Sequence, residues 1–259
     1  MIDISFVCSG IRTENWKACF DLIFNSSSMS VEIICVGPRP LPSELENDCR
    51  IRYIYDAGAP VRGFQRAAQA ATGCRIIPLT DDSMMEPNAQ NSIWEIIRDK
   101  DRKIIVLGKY TEGEGNSEQG KRNWECQLAD NYYKVHGTTV TASPYIPNDW
   151  LIANFAYMDR SYFMELGGWD CRFEVPALAL TDWAVRAQRD GAKFILSDIK
   201  MFSLGFDTTP EGHGAIREAF YQNDLPLYRS IYDDPGCESR VKIDFDNWRN
   251  SPEKWGRRS

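Results

Sequence analysis

The chain has 259 residues, of which 43% are hydrophobic, 12% aromatic and 26% charged, and its formal net charge is -7. This composition is enough for a sizeable core and is typical of a folded protein rather than a disordered one. The acidic balance argues against a nucleic-acid-binding protein, but it allows an anionic ligand, because a divalent cation can bridge carboxylates to a phosphate. The sequence also lacks a signal peptide and any apolar run near the ~20 residues of a transmembrane helix, so it predicts a cytoplasmic protein.

Strand-like and helix-like segments alternate through the first half of the chain. Short apolar runs predict five strands, at residues 4–8, 31–36, 51–55, 75–79 and 103–107. Helical periodicity predicts three helices between them, which begin near Thr13, at Pro60 and at Asn88. Strands that alternate with helices are typical of an α/β fold, so the sequence predicts a mostly parallel central sheet flanked by helices.

The second half is less regular. Residues 110–124 are polar and glycine-rich, and they are interpreted either as a surface loop or as a lid over a site. Further on, the patterns predict helices at 160–166 and 178–189, a turn at 167–170 and a strand at 193–196. The chain from Thr208 onward is polar and irregular, with one predicted helix at 215–221.

An acidic pair, Asp81 and Asp82, follows the predicted strand at 75–79. Two carboxylates at close range repel each other unless a cation neutralises them. Mg²⁺ and Mn²⁺ prefer oxygen ligands and commonly take one or two carboxylates together with substrate phosphates. Asp56 also follows a strand, so all three aspartates are expected at one crevice beyond the carboxyl ends of the strands. A turn or a helix cap is the alternative role for the pair by itself.

The order of motifs along the chain resembles glycosyltransferase family 2 of the GT-A fold. The matching features are Asp56 after a strand, a helix carrying Arg62 and Arg66, the pair Asp81-Asp82, the segment Gly167-Gly-Trp-Asp-Cys-Arg-Phe, and Asp182 in a helix that ends before Gly191. The resemblance runs from about residue 4 to residue 198, and the Gly-Gly-Trp segment is its most specific part. Two positions depart from the family pattern. Thr80 stands for the first acidic residue of the DxD-type motif, and Thr181 stands for the glutamate of a Glu-Asp pair.

The resemblance implies a GT-A-type Rossmann-like sandwich. In that fold, residues 1–109 bind the donor, residues 110–205 bind the acceptor and carry catalysis, and residues 206–259 form a C-terminal extension. The implied activity is that of an inverting glycosyltransferase, which moves a sugar from a nucleoside-diphosphate sugar to a hydroxyl of an acceptor such as a glycan. A UDP-sugar is the favoured donor, and Asp182 is the general base that takes the proton of the acceptor hydroxyl.

The resemblance also implies roles for the donor side. Asp82 is the metal ligand, and a bound Mn²⁺ or Mg²⁺ bridges the two donor phosphates. Asp56 accepts a hydrogen bond from the nucleotide base, Arg62 or Arg66 contacts the pyrophosphate, and Asp81 lies near the sugar or the ribose. A solvated helix face is the alternative role for the two arginines.

Several further assignments have a structural alternative. His213 is a candidate for an additional metal ligand, or it is a surface-loop histidine. Trp169, Asp170 and Trp183 are candidates for the acceptor site, because aromatic faces stack on sugar rings, although core packing is the commoner role of a tryptophan. The tail at 254–258 is predicted to fray, with contact to an anionic acceptor or a membrane as the alternative.

Two rival functions remain open. A sugar-phosphate nucleotidyltransferase has a related sheet, but its loop after the first strand is rich in glycine, whereas Ser9-Gly-Ile-Arg-Thr contains one. A non-catalytic nucleotide- or glycan-binding protein that kept the fold would account for the threonines at positions 80 and 181. A dehydrogenase is disfavoured, because no Gly-x-Gly-x-x-Gly motif follows the first strand.

Overall fold

The computed structural model describes residues 2–111, 143–147, 149–153, 155–203 and 213–258. The strands in these ranges are β1 (Ile4–Ser9), β2 (Val31–Gly37), β3 (Ile51–Tyr55), β4 (Arg75–Thr80), β5 (Ser83–Met85), β6 (Ile104–Thr111), β7 (Ala156–Asp159) and β8 (Lys193–Ser203). They form one sheet in the order β3-β2-β1-β4-β7-β6-β8-β5. Most of the loop predicted at 110–124 lies outside the described residues.

The sheet is mostly parallel, which confirms the predicted α/β class. β1 pairs in parallel with β2 and β4, β2 pairs in parallel with β3, and β6 pairs in parallel with β8. β5 and β7 run antiparallel to their neighbours and were not predicted. They have three and four residues, and strands this short show little periodicity.

Helices flank this sheet. They are α1 (Trp16–Ser26), α2 (Pro60–Ala70), α3 (Ala89–Ile97), α4 (Arg160–Glu165), α5 (Pro176–Arg189), α6 (Ala215–Ala219) and α7 (Leu225–Tyr232). α2 packs on β1, β2 and α5, whereas α1 packs on α3. β1 and β2 are buried along nearly their whole length, which explains their continuous apolar runs. No helix within the described ranges has the length and hydrophobicity needed to cross a lipid bilayer.

The order of the chain through the sheet reverses at β1. β2 and β3 lie on one side of β1, and β4 lies on the other. In open α/β sheets this reversal creates a crevice beyond the carboxyl ends of the two adjacent strands. The last residues of β1 and β4, Ser9 and Thr80, are partners in the register, so Asp81 and Asp82 emerge directly at this crevice.

Residues 254–258, near the end of the chain, pack against the rest of the protein, which corrects the prediction that this tail is frayed. Trp255 is 5% exposed. Its backbone N–H donates to the carbonyl of Ala57 at 2.7 Å, and its indole N–H donates to the Glu174 carboxylate at 2.7 Å. Burial of a large side chain contributes about 2 kcal/mol, which helps to offset the entropy lost when the segment is ordered.

Candidate functional site

A cavity of about 210 Å³ lies at the crevice between β1 and β4. Its lining comes from the loop after β1, the residues after β4, the first residues of α2 and α5, and two segments from the end of the chain. The polar lining side chains are those of Ser9, Arg12, Thr80, Asp81, Asp82, His213 and Arg258. The fold therefore brings together three predicted site residues, Asp81, Asp82 and His213, although His213 is distant from the pair in the sequence.

Asp81 anchors the loop that follows β1. Its Oδ2 accepts the backbone N–H groups of Ile11 at 2.6 Å and of Arg12 at 2.8 Å. Its Oδ1 accepts Nε of Arg12 at 2.9 Å and also Nη2 of the same guanidinium. These four donors occupy the acceptor positions of a carboxylate, so little capacity remains for the predicted contact with a sugar or ribose.

The loop approaches Asp81 closely because residue 10 is a glycine. A Cβ on Gly10 would lie 2.1 Å from Cβ of Asp81. A Cβ on Gly37, at the end of β2, would lie 2.2 Å from the carbonyl oxygen of Gly10. Such close approaches require glycine at both positions. The two glycines therefore allow the loop to place Arg12 beside the acidic pair.

Asp82 has different contacts from Asp81. Its Oδ1 accepts the hydroxyl of Thr80 at 2.8 Å, and its Oδ2 lies 3.2 Å from Nη1 of Arg12. Arg12 consequently pairs with both carboxylates and reduces the repulsion between them. The sequence prediction assigned this neutralising role to a metal ion.

Among the described residues, no group of three or more His, Cys, Asp and Glu side chains could hold a metal ion. Asp82 and His213 nevertheless line the same cavity and offer one carboxylate and one imidazole. Mg²⁺ commonly binds through one or two carboxylates when substrate phosphates supply further ligands. The residues present therefore fit a cation that arrives together with a phosphate ligand better than they fit a free ion.

Two arginines of the cavity, Arg12 and Arg258, were not predicted as site residues. Arg12 belongs to the loop after the first strand, and its place beyond a carboxyl strand end is the signal that could have identified it. Arg258 reaches the cavity because the segment before it is docked through Trp255. No local pattern in the sequence predicts that docking.

Asp56, Arg62 and Arg66, which were predicted to bind the donor, do not line this cavity. Asp56 is 6% exposed, and its carboxylate accepts Nε of Arg62 at 2.9 Å as well as Nη1 of Arg66. Nη1 of Arg62 donates to the carbonyls of Trp248 at 2.6 Å and Ser251 at 2.7 Å. The three residues thus form an ion-pair cluster, and Arg62 also connects α2 to the backbone at Trp248 and Ser251.

Asp182, the predicted general base, is fully buried and does not line the cavity. α5 begins at Pro176, so Asp182 lies in its second turn rather than at the start of the helix. Its carboxylate accepts Nε of Arg186 at 2.8 Å, Nε of Arg240 at 3.0 Å and the hydroxyl of Tyr232 at 2.7 Å. Burial raises the pKa of Asp182, but the two guanidinium charges and the hydroxyl outweigh burial and hold that pKa below its ordinary value. Asp182 is thus enclosed by these three side chains and has no solvent-exposed surface.

Asp170 belongs to the same buried cluster. It is 3% exposed, and its carboxylate pairs with Arg240 at 2.6 Å and Arg172 at 2.7 Å. Arg240 therefore bridges Asp170 and Asp182, and the sequence analysis had not identified this arginine. The structure gives Asp170 a role in packing the C-terminal segment and does not place it at an acceptor site.

Trp169 and Trp183 lie in the core, where they are 1% and 0% exposed. Both rings pack on Phe163, at centroid distances of 4.5 and 5.7 Å. Stacking on a sugar needs an exposed ring face, and neither ring has one. Core packing is thus the role that the structure shows for both tryptophans.

The two glycines before Trp169 also have a packing role. Gly167 and Gly168 have φ values of +89° and +69°, in the region that favours glycine. A Cβ on Gly167 would lie 2.0 Å from the carbonyl oxygen of Ile243, and a Cβ on Gly168 would lie 2.3 Å from Oε1 of Gln65. The most specific feature of the family resemblance therefore makes room for the C-terminal segment and for α2.

No known family model matches the chain, and no curated protein matches it. The resemblance in motif order therefore stays a prediction. A function has to be argued from the chemistry of the site, because a fold by itself does not define one.

A buried carboxylate connects the start of α5 with the helices near the cavity. Asp224 ends the π-helical turn Phe220–Asp224 that joins α6 to α7. Its two oxygens accept the backbone N–H groups of Glu174 at 2.8 Å and Val175 at 2.9 Å, directly before α5. Burial raises the pKa of Asp224 to about 6, although these hydrogen bonds oppose the shift.

We expect the wild-type protein to lose stability relative to an Asp224→Asn variant as the pH rises from about 4 to 7. The pKa of Asp224 is raised from 3.8 to about 6, so its stabilising contribution is complete below about 3.8 and is lost as the pH rises through 6. At about 1.4 kcal/mol per pH unit, the change amounts to about 3 kcal/mol. Urea unfolding of both proteins at pH 4 and 7 measures it, and parallel pH profiles would contradict the prediction.

Proposed function

We propose that the protein binds a nucleoside-diphosphate sugar at the cavity between β1 and β4 and transfers the sugar to an acceptor hydroxyl. The observation that carries this proposal is the convergence of a carboxylate, an imidazole and a guanidinium, those of Asp82, His213 and Arg12, beyond two adjacent parallel strands. Open α/β sheets bind nucleotides at this place, and these groups suit a phosphate with its cation. The GT-A-type fold, the UDP-sugar donor and the glycan acceptor are part of the proposal and depend on the motif order.

Asp82 and His213 are the residues that would hold Mn²⁺ or Mg²⁺, with donor phosphates completing the ligand set. A cation held by these residues would supply stabilisation of the negative charge that develops on the leaving diphosphate. Without ligand, Arg12 balances the charges of Asp81 and Asp82. Its planar guanidinium also matches the oxygens of a phosphate, so an entering diphosphate competes for it. If Arg12 turned toward the phosphate, Asp82 would be available to hold the cation.

A second candidate is nucleotide-sugar binding without transfer. The burial of Asp182 favours it, because the residue predicted to accept the proton is enclosed by Arg186, Arg240 and Tyr232. A general base has to come within hydrogen-bond reach of the hydroxyl it deprotonates. The two candidates share the same ligand and differ in turnover, so they can be separated experimentally.

We expect Mn²⁺ and a nucleoside diphosphate to bind together, and each of them to bind weakly alone. Asp82 and His213 supply too few ligands for a free ion, and Arg12 blocks the carboxylate until a phosphate attracts it. The Asp82→Asn variant should weaken Mn²⁺-dependent binding of the diphosphate by about 10- to 100-fold, the range for losing a charged partner. A thermal-shift screen of nucleoside diphosphates identifies the base, and calorimetry with and without Mn²⁺ then measures the affinity.

The matched control is Asp99→Asn, which removes a surface carboxylate with 88% exposure and should leave binding unchanged. Mn²⁺-independent binding, or full affinity in the Asp82→Asn variant, would contradict the metal assignment. Incubation with the corresponding nucleotide sugar then tests turnover. Release of the free nucleoside diphosphate supports transfer or hydrolysis, whereas binding without release supports the second candidate. Pyrophosphate release from a sugar phosphate and a nucleoside triphosphate would instead favour a nucleotidyltransferase.

A further inference from the structure

The segment 254–258 runs from the edge of the sheet to the cavity between β1 and β4. Lys254 forms a β-bridge with Ala57. The next residue, Trp255, is buried and donates hydrogen bonds to both Ala57 and Glu174. These contacts hold the backbone of the segment in place. Whatever follows Trp255 is therefore presented to the cavity from a fixed position.

The two arginines after Trp255 have different surroundings. Arg257 donates to the carboxylates of Glu174 at 2.5 Å and Glu218 at 3.1 Å, and to the side chain of Gln222 at 2.9 Å, so it serves to fasten the segment. Arg258 lines the cavity together with Arg12. Its guanidinium lies 4.8 Å from the ring centroid of Trp255, a cation–π contact that limits its freedom.

The electrostatic surroundings of Arg258 favour an anion in the cavity. The pKa of Arg258 is lowered to about 10, mainly by burial; the charge of Asp81 opposes this shift, and the nearby charges of Arg12 and Arg39 add to it. The side chain remains a cation at neutral pH. The positive charges of Arg12 and Arg258, which line the same cavity, would both attract an anion there.

We infer that Arg258, delivered by the docked segment 254–258, binds the diphosphate of the ligand opposite Arg12. This inference rests on the proposed function. A guanidinium presents paired N–H donors that match phosphate oxygens, and two guanidinium groups from separate segments can hold a diphosphate from two directions. Arg258 is a ligand-binding residue in this arrangement, and Trp255 is the residue that positions it.

The test measures Mn²⁺-dependent binding of UDP and of inorganic pyrophosphate by calorimetry, in the wild-type protein and three variants. Arg258→Gln should weaken binding of both ligands by about 10- to 100-fold, because one charged partner is lost. Arg258→Lys keeps the charge but loses the paired donors, so it should lose less. Lys254→Gln is the matched control, since it removes one positive charge from the same segment at an exposed position outside the cavity. It should bind both ligands within about twofold of the wild type, as expected for a solvent-screened charge.

Thermal unfolding without ligand shows whether each variant is folded, and Arg258→Lys tests the inference if Arg258→Gln proves unstable. Equal affinities of the wild type and both Arg258 variants would overturn the role of Arg258 and leave the proposed function intact. An equal loss in Lys254→Gln would also overturn it, because the effect would then come from net charge. Failure of the wild type to bind any nucleoside diphosphate or pyrophosphate would instead overturn the proposed function itself.

Discussion

Replacing Asp182 by asparagine is expected to lower the free energy of unfolding by about 3–5 kcal/mol, the range for removing one partner of a buried ion pair. Arg186 is 0% exposed, and it donates to Asp182 through Nε and to the carbonyls of Leu166 and Gly168 through its other nitrogens. The carbonyls satisfy hydrogen bonds but carry no net charge. An asparagine would therefore leave the guanidinium groups of Arg186 and Arg240 without the carboxylate that they share.

The effect of this substitution should also depend on pH in a defined direction. The pKa of Asp182 lies below its ordinary value of 3.8 in the folded protein. Its stabilising contribution is consequently present above about pH 3.8 and is lost as the pH falls through the folded value. We expect the deficit of Asp182→Asn to be full at pH 7 and to shrink in more acidic solution.

Urea unfolding of the two proteins measures the deficit. Glu95→Gln is the matched control, because it removes a helix carboxylate that pairs with Arg98 at the surface, where Glu95 is 63% exposed. A surface pair contributes about 1 kcal/mol at most, so this control should unfold close to the wild type. An Asp182→Asn protein with wild-type stability and no transfer activity would restore Asp182 as the general base.

The second large effect is expected at Asp81. An Asp81→Asn variant should lose about 2–4 kcal/mol of unfolding free energy, because its amide nitrogen cannot accept the N–H groups that the carboxylate accepts from Ile11 and Arg12. The loop after β1 would then be released from β4. Ligand binding should fall as well, since that loop carries Arg12 into the cavity.

Asp82→Asn makes the same chemical change one residue later and serves as the comparison. Asp82 accepts the hydroxyl of Thr80 and pairs with Arg12 at 3.2 Å, whereas the backbone N–H groups of Ile11 and Arg12 in the loop after β1 donate to Asp81. We expect it to lose about 1 kcal/mol or less of stability while losing Mn²⁺-dependent binding. Denaturant unfolding and calorimetry on both variants separate the roles. Equal stability losses in the two variants would contradict the assignment of Asp81 as the residue that anchors the loop and of Asp82 as the metal ligand.

Several elements could be predicted because they depend on local sequence. β1 to β4 end within one or two residues of the predicted bounds, and α2 begins at the predicted Pro60. Apolar runs between amphipathic helices indicate buried parallel strands wherever they occur. The short strands β5 and β7 were not predicted. Three or four residues show too little periodicity to indicate a strand, and these two are strands because they pair with β8 and with β4 and β6, respectively.

The sequence by itself determined the α/β class and the position of Asp81 and Asp82 at a crevice. In a chain of alternating strands and helices, residues that directly follow a parallel strand lie at the carboxyl edge of the sheet, where the crevice forms. Only the tertiary structure determines which arginine pairs with which aspartate. It pairs Arg12 with Asp81 and Asp82, encloses Asp182 between Arg186 and Arg240, and brings Arg258 to the cavity. The physical reason is that the strength and function of an ion pair depend on distance and burial, which for residues far apart in the chain are set by packing rather than by local pattern.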